Sequence, residues 1–217
     1  MSMVRNTVAV LGLAIGSAAM AAPVTVNFTR ITSNSSQNVA SQFTCVVDLF
    51  QAASGGNPEV VSFRFQNAVG IQSSISEVYY DDGPLLGIAS LSQQGANFVG
   101  GGANPGNLPG GNTIGFNATQ IFSADAQGNP SNGLDVASDY LEMRFNLING
   151  TTFQGIVDSL QSGALRIGMH VRAIGQDGNS DGFVNTPPTV VIPLPGAAGM
   201  GIAGLMGIAA VRRRRMA

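Results

Sequence analysis

Val61-Ser62-Phe63-Arg64-Phe65 and Leu141-Glu142-Met143-Arg144-Phe145 decide the fold. In both stretches a large apolar side chain falls on every second residue with a polar one between. That period of two belongs to a strand with one buried face. Val24-Thr25-Val26-Asn27-Phe28-Thr29 repeats the pattern. Further strands are expected near residues 42–49, 77–80, 85–91, 113–122 and 165–174. Many short strands separated by Gly, Pro, Asn and Asp predict a mainly β chain. The architecture expected is an antiparallel β-sandwich of jelly-roll or immunoglobulin-like type.

One helix interrupts this pattern. Phe153, Ile156, Val157 and Leu160 fall at i, i+3, i+4 and i+7 and form a single apolar stripe. Thr151 with Gln154 reads as a capping box, and Gly163 as the stop. The helix is expected to close one end of the sandwich. Residues 95–115 carry Gly100-Gly101-Gly102, Pro105, Pro109 and Gly110-Gly111 and few large apolar side chains. They read as a long surface loop.

The chain of 217 residues contains no lysine, and its ten basic residues are all arginine. Five of these, Arg5 and Arg212–Arg215, sit near the two ends, while all twelve acids lie between Asp48 and Asp181. Five arginines against twelve acids leave the body clearly anionic. Nucleic-acid binding needs a basic footprint, so that class is excluded. Cys45, the single cysteine, lies in the apolar run Cys45-Val46-Val47 and reads as a small buried hydrophobe.

Three groups of residues could carry chemistry. Asp177, Asn179 and Asp181, followed by Gly182, match positions 1, 3, 5 and 6 of a calcium loop. Pro188 stands where the bidentate glutamate belongs, so Asp81 or Asp82 would have to complete a Ca²⁺ shell. A polar hairpin turn accounts for the same residues. Asp81-Asp82-Gly83-Pro84 follows Tyr79-Tyr80, pairing carboxylates with two rings that could stack on a sugar. A turn capped by its own aspartates is the simpler account. His170, the only histidine, has no serine or aspartate partner evident in sequence. No catalytic residues are assigned, and the chain is not expected to be an enzyme.

The ends are of another character. Residues 1–21 have the three parts of a secretory signal: a polar start with Arg5, an apolar run from Val8 to Ala19, and the cleavage pattern Ala19-Met20-Ala21. A signal helix removed after Ala21 leaves a body over residues 22–189. Residues 190–217 form a tail with a proline motif, an apolar helix over 196–211 and Arg212-Arg213-Arg214-Arg215. The 16 apolar-segment residues make about 24 Å of helix, short of a hydrocarbon core of about 30 Å. Its six large apolar side chains supply only about −2 to −3.5 kcal/mol toward insertion. The arginines should stay on the cytoplasmic side and leave the body outside. As a transmembrane helix this is a temporary one.

Ile192-Pro193-Leu194-Pro195-Gly196-Ala197-Ala198, a Gly/Ala-rich apolar segment and then Arg212–Arg215 resemble the PEP-CTERM sorting signal, with Pro-Leu-Pro in place of Pro-Glu-Pro. Residues 75–83, 105–111 and 162–171 are similar to stretches in the bodies of proteins that carry the signal. The resemblance implies recognition of Ile192, Pro193, Leu194 and Pro195 by an exosortase, an integral-membrane transpeptidase, after transient residence in the inner membrane. It also implies delivery to the cell surface or extracellular matrix. The expected role is structural or adhesive, in contact with an envelope polymer or extracellular polysaccharide. A carbohydrate- or calcium-dependent binding module is the alternative, and a surface hydrolase the third reading.

Overall fold

A computed structural model describes residues 22–82 and 85–188. The signal segment with Ala19 and Ala21, Gly83 and Pro84, the sorting motif Ile192–Pro195, the apolar segment 196–211 and Arg212–Arg215 lie outside the described residues. Among those that are described, no helix is long and apolar enough to cross a membrane.

The described chain is mainly β, with two antiparallel sheets and one α-helix. Its strands are β1 (Val24–Val26), β2 (Phe28–Arg30), β3 (Phe43–Gln51), β4 (Val60–Asn67), β5 (Ser74–Asp81), β6 (Leu86–Gln94), β7 (Phe98–Gly100), β8 (Ala124–Ala126), β9 (Tyr140–Leu147), β10 (Arg166–Ile174) and β11 (Asn179–Asn185). A five-stranded sheet runs in the order β1-β3-β4-β9-β6 and a six-stranded sheet in the order β2-β11-β10-β5-β8-β7.

The alternation in the sequence explains the central pair of the first sheet. Val61, Phe63 and Phe65 of β4 are buried, as are Leu141, Met143 and Phe145 of β9. On the wet face Glu142 pairs with Arg144 and, at 3.9 Å, with Arg64. Both arginines also lie over rings, Arg64 on Tyr140 at 3.7 Å and Arg144 on Phe50 at 3.8 Å. Phe50, half-exposed, is thus covered on one ring face by a guanidinium.

Both sheets feed one hydrophobic core. Phe63 of β4 meets Tyr80 of β5 edge-to-face at 5.2 Å, and Tyr80 meets Phe145 of β9 at 5.0 Å. Phe43 and Phe183 make a similar contact at 5.2 Å. Edge-to-face geometry sets the positive ring edge against the negative face. Cys45 is fully buried here, and burial pushes its thiol pKa well up.

Val24–Thr29 is not one strand. The chain changes sheets at Asn27, so β1 pairs with β3 while β2 pairs with β11. Val24, Val26 and Phe28 all remain buried, and the Asn27 carbonyl accepts from Thr186 N at 2.9 Å. Inward alternation is kept while the hydrogen-bond partner changes, which the sequence pattern alone does not register.

The helix α1 (Phe153–Ser162) buries the expected stripe of Phe153, Ile156, Val157 and Leu160 in the shared core. Its cap is Thr152 rather than Thr151: Thr152 Oγ1 accepts from Gly155 N at 3.2 Å. Gln154 turns along the helix to Asp158 instead of back to the cap, and Glu59 Oε2 takes the Phe153 N–H at 2.6 Å. Gly163 ends the helix with φ +76°.

Two loop expectations are corrected. Residues 113–122 form no strand; they hold two short 3₁₀ turns, Gly111–Ile114 and Gln120–Phe122. Residues 95–115 are more than surface. They contain β7, and Ala103 and Leu108 join Phe116, Tyr79 and Val184 in a second apolar cluster. Few large side chains suffice because the sheet beneath is hollowed by glycine. A Cβ on Gly168 would press on Leu108 and Phe116, and one on Gly182 would collide with the Pro109 carbonyl oxygen. Gly182→Ala is therefore expected to destabilise by about 1–3 kcal/mol through overpacking, read as a lower urea midpoint at unchanged slope. An unaltered midpoint would show that the loop does not sit on the strand.

Candidate functional site

The acidic residues matched to a calcium loop are held by donors. Asp181, fully buried in β11, accepts from Thr32 Oγ1 at 2.7 Å, Asn34 N at 2.8 Å and Ser35 N at 3.2 Å. Arg30 stands 3.6 Å from its other side. Asp177, in the turn between β10 and β11, accepts from Ser36 N at 3.1 Å and Ser36 Oγ at 2.5 Å, and these bonds lower its pKa. Asn179 donates to Asn34 O at 2.9 Å. A calcium ion needs oxygens converging on empty space. Here the oxygens point at N–H and O–H groups of residues 32–36. The acids named to complete the shell lie elsewhere: Asp81 registers with Arg166 and Asp181 with Val171, five residues apart on β10, or about 17 Å along a strand. The turn account fits this geometry, with the acids strapping the β2–β3 connection to β11.

The pair Asp81-Asp82 also diverges. Asp81 takes Arg166 Nη2 and, at 3.1 Å, Asn117 N. Arg166 extends to the carbonyls of Ile114 at 2.8 Å and Gly115 at 2.5 Å, fastening the covering loop. Asp82 accepts from Thr119 Oγ1 at 2.7 Å and Leu86 N at 3.1 Å, yet burial still raises its pKa. These carboxylates anchor two segments and do not face a common reacting atom. The tyrosines offer no sugar platform either. Tyr80 is buried among Phe63 and Phe145, and Tyr79 lies under the loop with its hydroxyl on Pro105 O at 3.0 Å. Burial pushes both phenol pKa values up.

His170 does have a partner, and the sequence reading missed it. In β10 it registers with Glu77 of β5, and Nδ1 lies 2.6 Å from Glu77 Oε2. Neither atom has another partner. Asp125 of β8 registers with Glu77 from the other side, and burial, then Glu77, raises its pKa. A histidine–carboxylate pair can orient an imidazole and hold a proton. Nucleophilic catalysis further needs a hydroxyl or thiol within reach. Among the described residues no hydrogen bond joins His170 to a serine, threonine or cysteine, and Cys45 is in the opposite sheet. The signal that could have found Glu77 is an acid in the middle of a fully buried strand.

An apolar crevice opens where the end strands of the two sheets face each other. Ala89 and Leu91 of β6, Gly100 of β7, and Ile121, Phe122 and Ser123 line about 430 Å³. Ile121 stands on its rim, 72% exposed. Gln93 closes the neighbouring stretch with its amide, which accepts from Phe98 N at 2.6 Å and donates to Phe98 O at 3.1 Å. No ionisable side chain is among these lining residues. Among the described residues no group of three or more His, Cys, Asp or Glu side chains is placed to hold a metal. No family model matches the chain, and no curated protein and no solved structure matches it.

Proposed function

We propose that this chain is an exported protein of the cell surface or extracellular matrix, addressed by its tail to an exosortase-type transpeptidase and structural or adhesive in role. The body, on this reading, is an antiparallel β-sandwich of jelly-roll type spanning residues 22–189. The observation that carries the proposal is the order of the tail: Ile192-Pro193-Leu194-Pro195, an uncharged Gly/Ala-rich segment over 196–211, then Arg212–Arg215. Prolines lack amide donors and disfavour helix in the residues before them, a composition that suits recognition by a membrane-embedded peptidase. The apolar segment behind it is too short and too rich in glycine to moor a protein for long. The body supports the reading in kind. Its buried acids bind its own loops, and its one histidine is paired to a glutamate.

Protein recovered from the producing cells provides the test. Intact mass and carboxyl-terminal peptide mapping should find chains that begin at residue 22 or 23 and lack Arg212–Arg215. Chains that mostly retain the four arginines would replace this reading with a plain membrane anchor.

A further inference from the structure

Strand register fixes where the chain enters and leaves the body. Val24 of β1 lies opposite Val47, so residue 22 lies toward the end of β3 at Gln51. β4 starts at that end with Val60 opposite Asn146, and Leu86 of β6 lies opposite Leu147. In the other sheet Asp81 lies opposite Arg166. Leu86 N donates to Asp82 Oδ2 at 3.1 Å, which sets these ends of the two sheets together. β11 runs back along β2 until Asn185 faces Phe28, and then Thr186 N donates to Asn27 O at 2.9 Å. Residues 22 and 188 therefore belong to one pole, shared with the exposed hairpin 51–58 and the loop 148–152.

The reach of the two ends is short. Pro188 stands eight residues before Gly196 and Val24 five residues after Ala19, at most about 28 Å and 17 Å of chain. β4, of eight residues, is itself about 26 Å long. With the far pole on a bilayer, the tail would use nearly all its length running back past the body, and the leading segment would fall short. The exit pole also carries an exposed ring. Phe50 is half-exposed next to the hairpin, whereas the other ten phenylalanines are buried. The Arg144 guanidinium lies over it at 3.8 Å. An aromatic ring beside a guanidinium suits the layer where acyl chains meet phosphates. The hairpin 51–58 has no charged residue, and Glu59 and Asp158 near it accept from Phe153 N and Gln154 Nε2. Turns at the far pole carry Asp135, Asp139 and Asp177, which anionic headgroups repel.

We propose that the exit pole rests on the bilayer while the tail is attached. Phe50 and the 51–58 hairpin meet the phospholipid headgroups, and the turns 135–139 and 175–178 face outward. The inference rests on the reading of both ends as membrane-directed, and not on which peptidase removes the tail.

The chain has no tryptophan, so a single introduced one reports alone. Phe50→Trp probes the exit pole, and Val136→Trp, at a half-exposed position, probes the far one. The full chain is reconstituted in phosphatidylethanolamine–phosphatidylglycerol vesicles that contain a headgroup-nitroxide lipid. Phe50→Trp should then shift to the blue and lose most of its emission, while Val136→Trp keeps its wavelength and intensity. Thermal melts equal to that of the unaltered chain control for folding. Ser54→Cys carrying a polarity-sensitive fluorophore should repeat the Phe50→Trp result, since Cys45 is buried and takes no label. Flotation with the vesicles but a silent Phe50→Trp, or equal responses at both poles, would overturn the orientation and leave the reading of the tail standing. A chain that does not float with the vesicles would overturn both.

Discussion

Phe145→Ala is expected to lower the unfolding free energy by about 3–5 kcal/mol, a large share of the roughly 5–15 kcal/mol typical of a domain. Phe145 lies at 5.7 Å from Phe63, 5.0 Å from Tyr80 and 5.3 Å from Phe122. Truncation removes the ring on which strands of both sheets and the 120–122 turn converge. The backbone around it is fixed by ladders on both sides, to β4 and to β6. The cavity cannot collapse easily, which places the effect toward the upper end of the range. Urea unfolding followed by tyrosine fluorescence reads it. Phe50→Ala provides the contrast, since Phe50 is half-exposed and its ring lies under Arg144 on the wet face. A loss below about 1 kcal/mol for Phe145→Ala, no more than a surface change produces, would mean that the two sheets do not pack through this residue.

Asp181→Ala should be about as damaging, near 3–5 kcal/mol, because it breaks a buried charge network from one side. The amides of Asn34 and Ser35, the Thr32 hydroxyl and the Arg30 guanidinium all turn toward the lost carboxylate. Unpaired buried donors cost far more than the net value of the bonds they made. Asp181→Asn should fall between, since one oxygen survives and an NH₂ group meets Ser35 N and Arg30. Limited proteolysis should cut the variant within residues 31–39 well before the rest of the body. Added Ca²⁺ should leave the melting temperature of the unaltered protein unchanged. Stabilisation of that protein by the ion would restore the calcium reading of Asp177, Asn179 and Asp181.

What could be read in advance depended on where water touches the chain. β4 and β9 each have one wet face, so their apolar residues alternate and the strands are legible. Every residue of β5 from Ser74 to Tyr80 is buried, because the loop around Pro105 and Leu108 covers Tyr79, the 130–134 turn covers Ser74 and Ile75, and β8 and β10 flank Glu77. Only its last part was therefore recognisable. β8 has too few residues to carry a period, and β11 was obscured by the turn-forming Asp177–Gly182. Candidate sites failed for a different reason. Sequence displays the oxygens of Asp177 and Asp181 but not the donors facing them, which are supplied from 141 to 149 positions away. The Glu77–His170 contact depends likewise on the register of β5 with β10, and that register is shifted beside His170 by a bulge.

The pairing of β2 with β11 has a temporal side. Phe28 lies opposite Asn185, so an early strand completes its sheet only with the last one. Loop closure over so many residues is slow, and long-range pairings delay folding. A chain that emerges amino end first must hold β2 unmatched until β11 has followed it, while β1 can already pair with β3. Until then the six-stranded sheet stays open at the edge that β11 and β2 complete.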